Sequence, residues 1–149
     1  MLEPFDDAYF MSKAIQEAET AFKKDEIPVG AVITVENRII ARAHNLTEQL
    51  HDVTAHAEMQ AITAAANFLG GKYLKGCTLY VTLEPCQMCA GALFWSQIDN
   101  IIYGASDPKR GFTMMQTQLH PKTKVKSGIL ADKCERLLTQ FFIQKRNLN

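Results

Sequence analysis

The alternation of strand-like and helix-like segments is the feature that most limits what this chain can fold into. Short runs rich in β-branched residues alternate with longer segments whose apolar residues recur every three to four positions. Strands joined by crossover helices form mixed sheets that are covered on both faces, which makes this an α/β protein. We predict helices at 7–24, at 55–68, directly after Pro85, at 112–120 and at 130–146, and strands at 29–35, 39–43, 77–82, 100–104 and 123–127.

The predicted architecture has three layers, α/β/α, around a five-stranded mixed sheet with helices on both faces. The first two strands are joined by a short turn at 36–38 and should form an antiparallel hairpin, while the crossovers should make most strand pairs parallel. The sequence contains no internal repeat, low-complexity tract or Ser/Pro linker. We therefore expect one domain over residues 1–149, long enough to fold without disulfides.

The sequence carries no signal for a membrane or for secretion. No apolar run approaches the roughly 20 residues of a membrane span. The acidic start, Met1–Asp7, lacks the basic and apolar regions of a signal peptide. We expect a cytoplasmic protein, in which four cysteines are thiols or metal ligands rather than disulfides.

The net charge of zero hides an uneven distribution of charge along the chain. Residues 1–106 carry 7 basic and 13 acidic side chains, whereas residues 107–149 carry 9 basic and 3 acidic ones. Such an asymmetry between the two parts of a chain favours contact with a nucleic acid. If folding gathers some of these basic residues at one site, they would form an electrostatic footprint for RNA.

Two short motifs offer zinc ligands, and each stands at the predicted start of a helix. The first is His56-Ala57-Glu58, and the second is the run Pro85-Cys-Gln-Met-Cys89. One imidazole and two thiolates suit tetrahedral Zn²⁺, and three protein ligands leave the fourth position to water, as in catalytic sites. The two-residue gap between the cysteines lets both sulfurs reach one ion.

Other interpretations of the second motif explain less of the sequence. A Cys-x-x-Cys pair is also typical of redox proteins and of one half of a structural zinc site. A structural site needs another ligand pair, which the isolated Cys77 and Cys134 do not supply at standard spacing. A redox role leaves Glu58 unexplained, so the two motifs together favour a catalytic zinc site.

With these motifs the sequence resembles the tRNA-specific adenosine deaminase family, within the cytidine and deoxycytidylate deaminase superfamily. The resemblance covers nearly the whole chain, in the segments Pro28–Val32, His44–Asn45, Asp52–Glu58, Thr82–Ala92, Tyr103–Lys109, Gly128–Leu130 and Phe141–Phe142. It implies a cytidine deaminase-like fold, one Zn²⁺ per chain, a homodimer, and a tRNA anticodon stem-loop as substrate. The implied reaction is hydrolytic deamination of adenosine to inosine at the wobble position.

The resemblance also implies roles for the residues of the two motifs. His56, Cys86 and Cys89 would hold zinc, which lowers the pKa of its bound water toward about 7, so that hydroxide attacks carbon 6 of adenine. Glu58 would move protons from the water to the ring nitrogen and then to the departing amine. Backbone N–H groups of Ala57 and Cys86 would bind the developing oxygen.

Four further residues are candidates for contact with the substrate, and each has a structural alternative. By resemblance, Asn45 would hydrogen-bond the flipped purine, unless it only shapes a turn. Asp107 would contact an RNA sugar or loop, unless it only caps the turn before Pro108. Lys109 and Arg110 are candidate phosphate contacts, unless they belong to an ordinary solvated surface.

The motifs are compatible with two other functions, and the sequence leaves the place of three apolar residues undecided. An enzyme of the same superfamily that deaminates free guanine or cytosine would share the zinc motifs. A non-catalytic zinc-binding or RNA-binding module is the other alternative, against which Glu58 argues. The apolar residues Met88, Phe94 and Trp95 could line a dimer interface or belong to the core.

Overall fold

Secondary structure follows the predicted order along the chain. A computed structural model describes residues 5–147, so positions 1–4 and 148–149 of the predicted domain lie outside the described residues. The helices are α1 (Asp7–Lys23), α2 (Ala57–Leu69), α3 (Gln87–Ser96), α4 (Phe112–Met115) and α5 (Ala131–Asn147). The strands are β1 (Gly30–Val35), β2 (Arg38–His44), β3 (Cys77–Leu83), β4 (Asn100–Ala105) and β5 (Lys124–Lys126). None of the described helices is long and apolar enough to cross a membrane.

Local signals set the helix boundaries, and one predicted helix is wrong in length. The Asp6 side chain accepts a hydrogen bond from the Tyr9 N–H (2.8 Å) at the start of α1. Gly70 ends α2 in the left-handed conformation, with φ of 73°. The helix predicted at 112–120 stops at Met115, because Gln116 adopts a left-handed φ of 57°.

The five strands form one sheet in the order β2-β1-β3-β4-β5. The hairpin β1–β2 is antiparallel as predicted, and β3–β4 and β4–β5 are parallel. The expectation that most pairs are parallel is wrong, because β1–β3 is also antiparallel. The crossover through α2 does give β3 the direction of β2, but β1 lies between these two strands and runs the other way.

Alternate residues of the strands face two separate cores, as strand geometry requires. Val32, Tyr80 and Ile102 belong to the core that also contains residues of α1 and α5. Their neighbours Ile33 and Leu79 belong to the core on the opposite face, to which α2 and α3 contribute. The three-layer α/β/α arrangement is therefore confirmed.

Gly30 allows α1 to lie directly on the sheet. A Cβ atom at this position would overlap the backbone of Ala14 and Ala18 in α1. Because no side chain intervenes, the middle of α1 lies against the start of β1, which follows Ile27 and Val29. Both of these residues line the cavity described below.

Candidate active site

The two ligand motifs meet at the N-termini of two neighbouring helices. His56 is the N-cap residue of α2, and Cys86 is the N-cap residue of α3. Both have extended backbone angles, and neither side chain is used to cap its helix. The side chains are therefore free to turn toward each other, and Cys89 joins them from the first turn of α3.

The three candidate ligand atoms have the spacing that tetrahedral zinc requires. His56 Nδ1 lies 3.7 Å from Cys86 Sγ and 3.6 Å from Cys89 Sγ. With bonds of about 2.1 Å to nitrogen and about 2.3 Å to sulfur, tetrahedral Zn²⁺ places such ligands about 3.6 Å apart. All three ligand atoms lie within 4.8 Å of one another. The donor set and its geometry therefore fit zinc.

The electrostatics of the protein alone favour one thiolate in this group. A hydrogen bond from Cys89 and the neighbouring His56 lower the pKa of Cys86 to about 4, although its partial burial acts in the opposite direction. The hydrogen bond with Cys86 and burial raise the pKa of Cys89. The hydrogen bond with Cys86 also raises the pKa of His56. The positive ends of α2 and α3 add to the preference for negative charge.

Glu58 is a buried carboxylate in the first turn of α2, two residues after His56. Its side chain is only 4% exposed, and it lines the same cavity as His56 and Cys86. Burial is the main cause that raises the pKa of Glu58 to about 7. A carboxyl group whose pKa lies near neutrality can both accept and release a proton, as a general acid–base catalyst must.

A cavity of about 190 Å³ opens above this group. Pockets for drug-sized ligands measure roughly 300–1,000 Å³, so this cavity suits a single base rather than a larger molecule. Its wall combines apolar residues with polar ones, as ligand pockets do. The lining residues that sequence reasoning missed are Ile27, Val29, Thr47, Leu83 and Glu84.

Asn45 lines the cavity directly after β2. Its backbone N–H donates to the Val29 carbonyl (3.1 Å), which fixes the position of the residue. The residue as a whole is buried, but its side-chain amide forms no hydrogen bond within residues 5–147, and its atoms are not among buried polar atoms that lack a partner, so they are open to the cavity. That amide is therefore available to a ligand in the cavity.

Asp107 shapes the turn that follows β4, as the structural alternative for this residue required. Its Oδ1 accepts hydrogen bonds from the backbone N–H groups of Lys109 (3.1 Å) and Arg110 (3.0 Å). Asp107 and Arg110 also line the cavity, whereas Lys109 is exposed beside it. The structure thus brings Arg110 to the cavity and leaves Lys109 on the adjoining surface.

Only part of the basic surface of residues 107–149 lies near the cavity. The cavity lies beyond the ends of β3 and β4, whereas β5 pairs with Asn100–Ile102 at the start of β4. Lys124 and Lys126 are therefore remote from it, and Lys126 is paired with Asp7 (2.7 Å). Arg110 is the basic residue that lines the cavity within residues 5–147, Lys109 is its exposed neighbour, and Lys145 pairs with Asp25 (2.6 Å), two residues before the cavity-lining Ile27.

Two buried carboxylates that the motif search missed hold the loops around the cavity. Glu26 accepts hydrogen bonds from the N–H groups of Glu48 (3.1 Å) and Gln49 (2.8 Å). Glu84 does the same for Asp107 and Thr113, as described below. The only signal in the sequence is an acidic residue at the edge of an apolar segment, which is too common to be noticed on its own.

Comparisons with known proteins agree with this fold and site. The model of the cytidine and deoxycytidylate deaminase zinc-binding region matches residues 5–105, so the chain is a deaminase of this zinc-binding class. A tRNA-specific adenosine deaminase of Aquifex aeolicus is 47% identical over 145 residues, which cover 93% of this chain and 95% of the relative. The chain belongs to the family of tRNA-specific adenosine deaminases.

Solved structures of two kinds of deaminase are similar to this chain. One comes from studies of A-to-I editing by tRNA:A34 deaminases at the wobble position of transfer RNA. It has a TM-score of 0.82 and 43% identity, and the match covers 87% of this chain and 99% of that chain. A guanine deaminase from Bacillus subtilis has a TM-score of 0.63 and 36% identity, over 72% of this chain and 66% of that chain.

Proposed function

We propose that this protein deaminates adenosine to inosine at the wobble position of tRNA, with zinc as its cofactor. The observation that carries the chemistry is the meeting of Glu58 with His56, Cys86 and Cys89 at one base-sized cavity. The substrate class rests on the similarity to tRNA-specific adenosine deaminases over more than nine-tenths of the chain. A base must leave the stacked anticodon to enter such a cavity, and we assign the anticodon stem-loop as the bound element.

His56, Cys86 and Cys89 are the proposed zinc ligands. Zinc bound by three protein ligands supplies Lewis acidity, which lowers the pKa of a water molecule toward about 7. The three side chains come from the N-termini of α2 and α3, so the packing of these two helices sets the distances between the ligand atoms. Neither helix has to rearrange for the ligands to meet.

Glu58 is the proposed proton carrier. Its carboxylate removes a proton from the attacking water and delivers it to the ring nitrogen of adenine. It then takes the second proton of that water from the hydroxyl at carbon 6 and transfers it to the departing amine, so that adenosine and water yield inosine and ammonia. Glu58 is only 4% exposed beside the proposed zinc ligands. Glutamates without a specific role usually lie in solvent, so this burial supports the assignment.

The remaining walls of the cavity would orient the base. The free amide of Asn45 offers both a donor and an acceptor to the purine edge. Ala57 is the first residue of α2, where N–H groups have no partner within the helix. We assign the N–H groups of Ala57 and Cys86 to the oxygen that forms at carbon 6.

One assay separates this function from deamination of a free base. The purified protein is incubated with a tRNA or an anticodon stem-loop that carries a wobble adenosine, and separately with guanine and cytosine. We expect inosine in the RNA and no ammonia from the free bases. Ammonia from guanine, with the tRNA adenosine intact, would instead favour the activity of the similar guanine deaminase.

The affinity for tRNA is expected to fall steeply with salt, because Lys109 and Arg110 would contact phosphates. Each phosphate contact contributes roughly 0.7–0.9 to the slope of log affinity against log salt. Arg110→Ala should therefore reduce that slope by about 0.7–0.9, as measured by binding titrations at several salt concentrations. Lys72→Ala is the matched control, since this exposed lysine follows the far end of α2. An unchanged slope for Arg110→Ala would remove Arg110 from the RNA contacts.

A homodimer is proposed from the apolar surface of α3. Trp95 is 77% exposed, and Phe94 and Met88 are half-buried, so the core does not account for them. An exposed tryptophan beside further apolar groups is typical of an interface between subunits. Sedimentation of the native protein should give twice the chain mass, and Trp95→Lys should shift the equilibrium toward the monomer. A monomeric native protein would contradict the proposal.

We also propose that residues 1–149 form one domain and that the protein acts in the cytoplasm. Both cores share the strands of one sheet, which favours a single cooperative unit. A single denaturant transition, seen alike by circular dichroism and tryptophan fluorescence, would support one domain. The cytoplasm is assigned because the proposed substrate is tRNA, and cell fractionation tests it.

A further inference from the structure

Glu84 is a buried carboxylate that the proposed chemistry does not use. It follows the last residue of β3, Leu83, and its side chain is 5% exposed. It forms no ion pair within the part of the chain that the structure describes. A buried and unpaired carboxylate is costly unless hydrogen bonds compensate for the lost water, so its contacts indicate its purpose.

Both oxygens of Glu84 are occupied by backbone N–H groups of one segment, residues 107–113. Oε1 accepts from the Asp107 N–H (3.0 Å), and Oε2 accepts from the Thr113 N–H (3.0 Å). The carboxylate therefore fastens the segment at its first and last residues. Both oxygens thus already accept N–H groups of the protein, and we assign the proton transfers to Glu58.

The contact with Thr113 replaces a missing helix cap. Gly111 is the N-cap residue of α4, and having no side chain it cannot accept the N–H of Thr113 two residues later. A Cβ atom at Gly111 would overlap the carboxylate of Glu84. Gly111 has the extended backbone angles of an ordinary N-cap, φ −64° and ψ 154°. The cap is thus supplied from the end of β3, and the glycine leaves room for it.

The fastened segment contains the residues that border the cavity on this side. Asp107 and Arg110 both line the cavity, and the Phe112 N–H donates to the Pro85 carbonyl (2.9 Å), next to Cys86. Without the carboxylate, the N–H groups of Asp107 and Thr113 at the two ends of the segment would lose their protein acceptor. The segment would then occupy several conformations, and Arg110 would leave the cavity for part of the time.

We propose that Glu84 is a positioning residue that holds residues 107–113 at the mouth of the cavity and thereby sets the affinity for the RNA. The proposal rests on the proposed function and adds a determinant of substrate binding to it. Glu84 acts on binding, and Glu58 acts on the chemical step. Loss of Glu84 should therefore raise KM for tRNA much more than it lowers kcat.

The test compares two variants. Glu84→Ala removes the acceptor of the Thr113 N–H, and the addition of Gly111→Asp supplies a new acceptor from the N-cap residue itself. Glu84→Ala should raise KM for tRNA about tenfold, since the loss of two hydrogen bonds to a charged group releases the segment that carries Arg110. Its kcat should stay within about threefold, and its zinc content should not change. In Glu84→Ala with Gly111→Asp, the new side chain occupies the vacated space and accepts the Thr113 N–H. This double variant should have a KM close to that of the native protein. Gly111→Asp alone should raise KM, because its side chain would overlap the carboxylate of Glu84.

Amide hydrogen exchange gives a measurement that does not depend on activity. Exchange at Asp107 and Thr113 should accelerate in Glu84→Ala, and the double variant should restore protection at Thr113 alone. Faster exchange with KM within twofold of the native value would overturn the proposal, because Glu84 would then be only structural. Loss of zinc from Glu84→Ala would also overturn it.

Two controls keep the outcomes distinct. Glu84→Gln retains the size and one acceptor oxygen, so it should fold even where Glu84→Ala does not and raise KM by about threefold; an unchanged KM would contradict the proposal. Asp99→Asn removes an exposed carboxylate before β4 and should leave KM unchanged. If the native protein forms no inosine in tRNA, the proposed function fails, and the exchange experiment still decides whether Glu84 holds the segment.

Discussion

Replacing Glu58 by alanine should abolish deamination while the protein keeps its zinc. The three proposed ligand atoms come from other residues, so removal of the carboxylate leaves the ligand distances in place. General acid–base catalysis contributes about 10²–10⁴-fold to a rate, and here one group serves several proton transfers. We expect kcat to fall by at least about 10³-fold. Inosine formation in the anticodon stem-loop and zinc per chain should be measured on the same preparation.

Two further substitutions make this result specific. Glu58→Gln keeps the shape of the side chain but cannot accept and release a proton, so it should be as inactive as Glu58→Ala. Glu19→Gln removes an exposed carboxylate from α1 and should be fully active. Turnover near the native rate in Glu58→Gln would refute the assigned mechanism. Loss of zinc from Glu58→Ala would mean that the carboxylate supports the metal site rather than the proton transfers.

The strands could be predicted because their residues alternate between two buried faces. Val32 and Ile33 of β1 belong to different cores. The central strands β3 and β4 likewise place successive apolar residues in the two cores alternately. The helix predicted at 112–120 failed for a different reason. Met114 and Met115 are exposed, and the left-handed Gln116 ends the helix without a glycine or proline to mark it.

Strand order could not be derived from local pattern. The sequence indicates that β2 is followed by a crossover to β3, and such strands usually lie side by side in parallel. Here β3 pairs with β1 instead, Ala31 opposite Val81 and Ile33 opposite Leu79. Which neighbour a strand selects depends on how whole faces pack together, and this information is not contained in a window of ten residues.

The metal site and its surroundings differed in how far they could be predicted. The proposed ligands have rare residue types at restricted spacings, so His56, Cys86 and Cys89 could be recognised as candidates from the sequence alone. Glu84 acts through backbone N–H groups that are 23 and 29 residues away, and no residue type marks such partners. Positioning residues are therefore found only when the fold brings the two segments together.

The four cysteines allow the metal site to be tested within one residue type. Cys86→Ala and Cys89→Ala each remove one of three proposed ligands, and we expect both variants to lose zinc and inosine formation together. Zinc binding is coupled to stability, because the folded protein holds the ion and the unfolded chain does not. A chelator should therefore lower the Tm of the native protein and leave the Tm of both variants unchanged.

Cys77→Ala and Cys134→Ala are the matched controls. Both thiols are buried, Cys77 in β3 and Cys134 in α5, and neither belongs to the group of three ligands. Each substitution should lower the free energy of unfolding by about 1 kcal/mol through lost packing, yet retain one zinc per chain and the native sensitivity to chelator. Zinc loss from either control, or full zinc in Cys86→Ala, would contradict the ligand assignment. The comparison separates the two cases because all four variants lose a thiol, but only two of them lose a ligand.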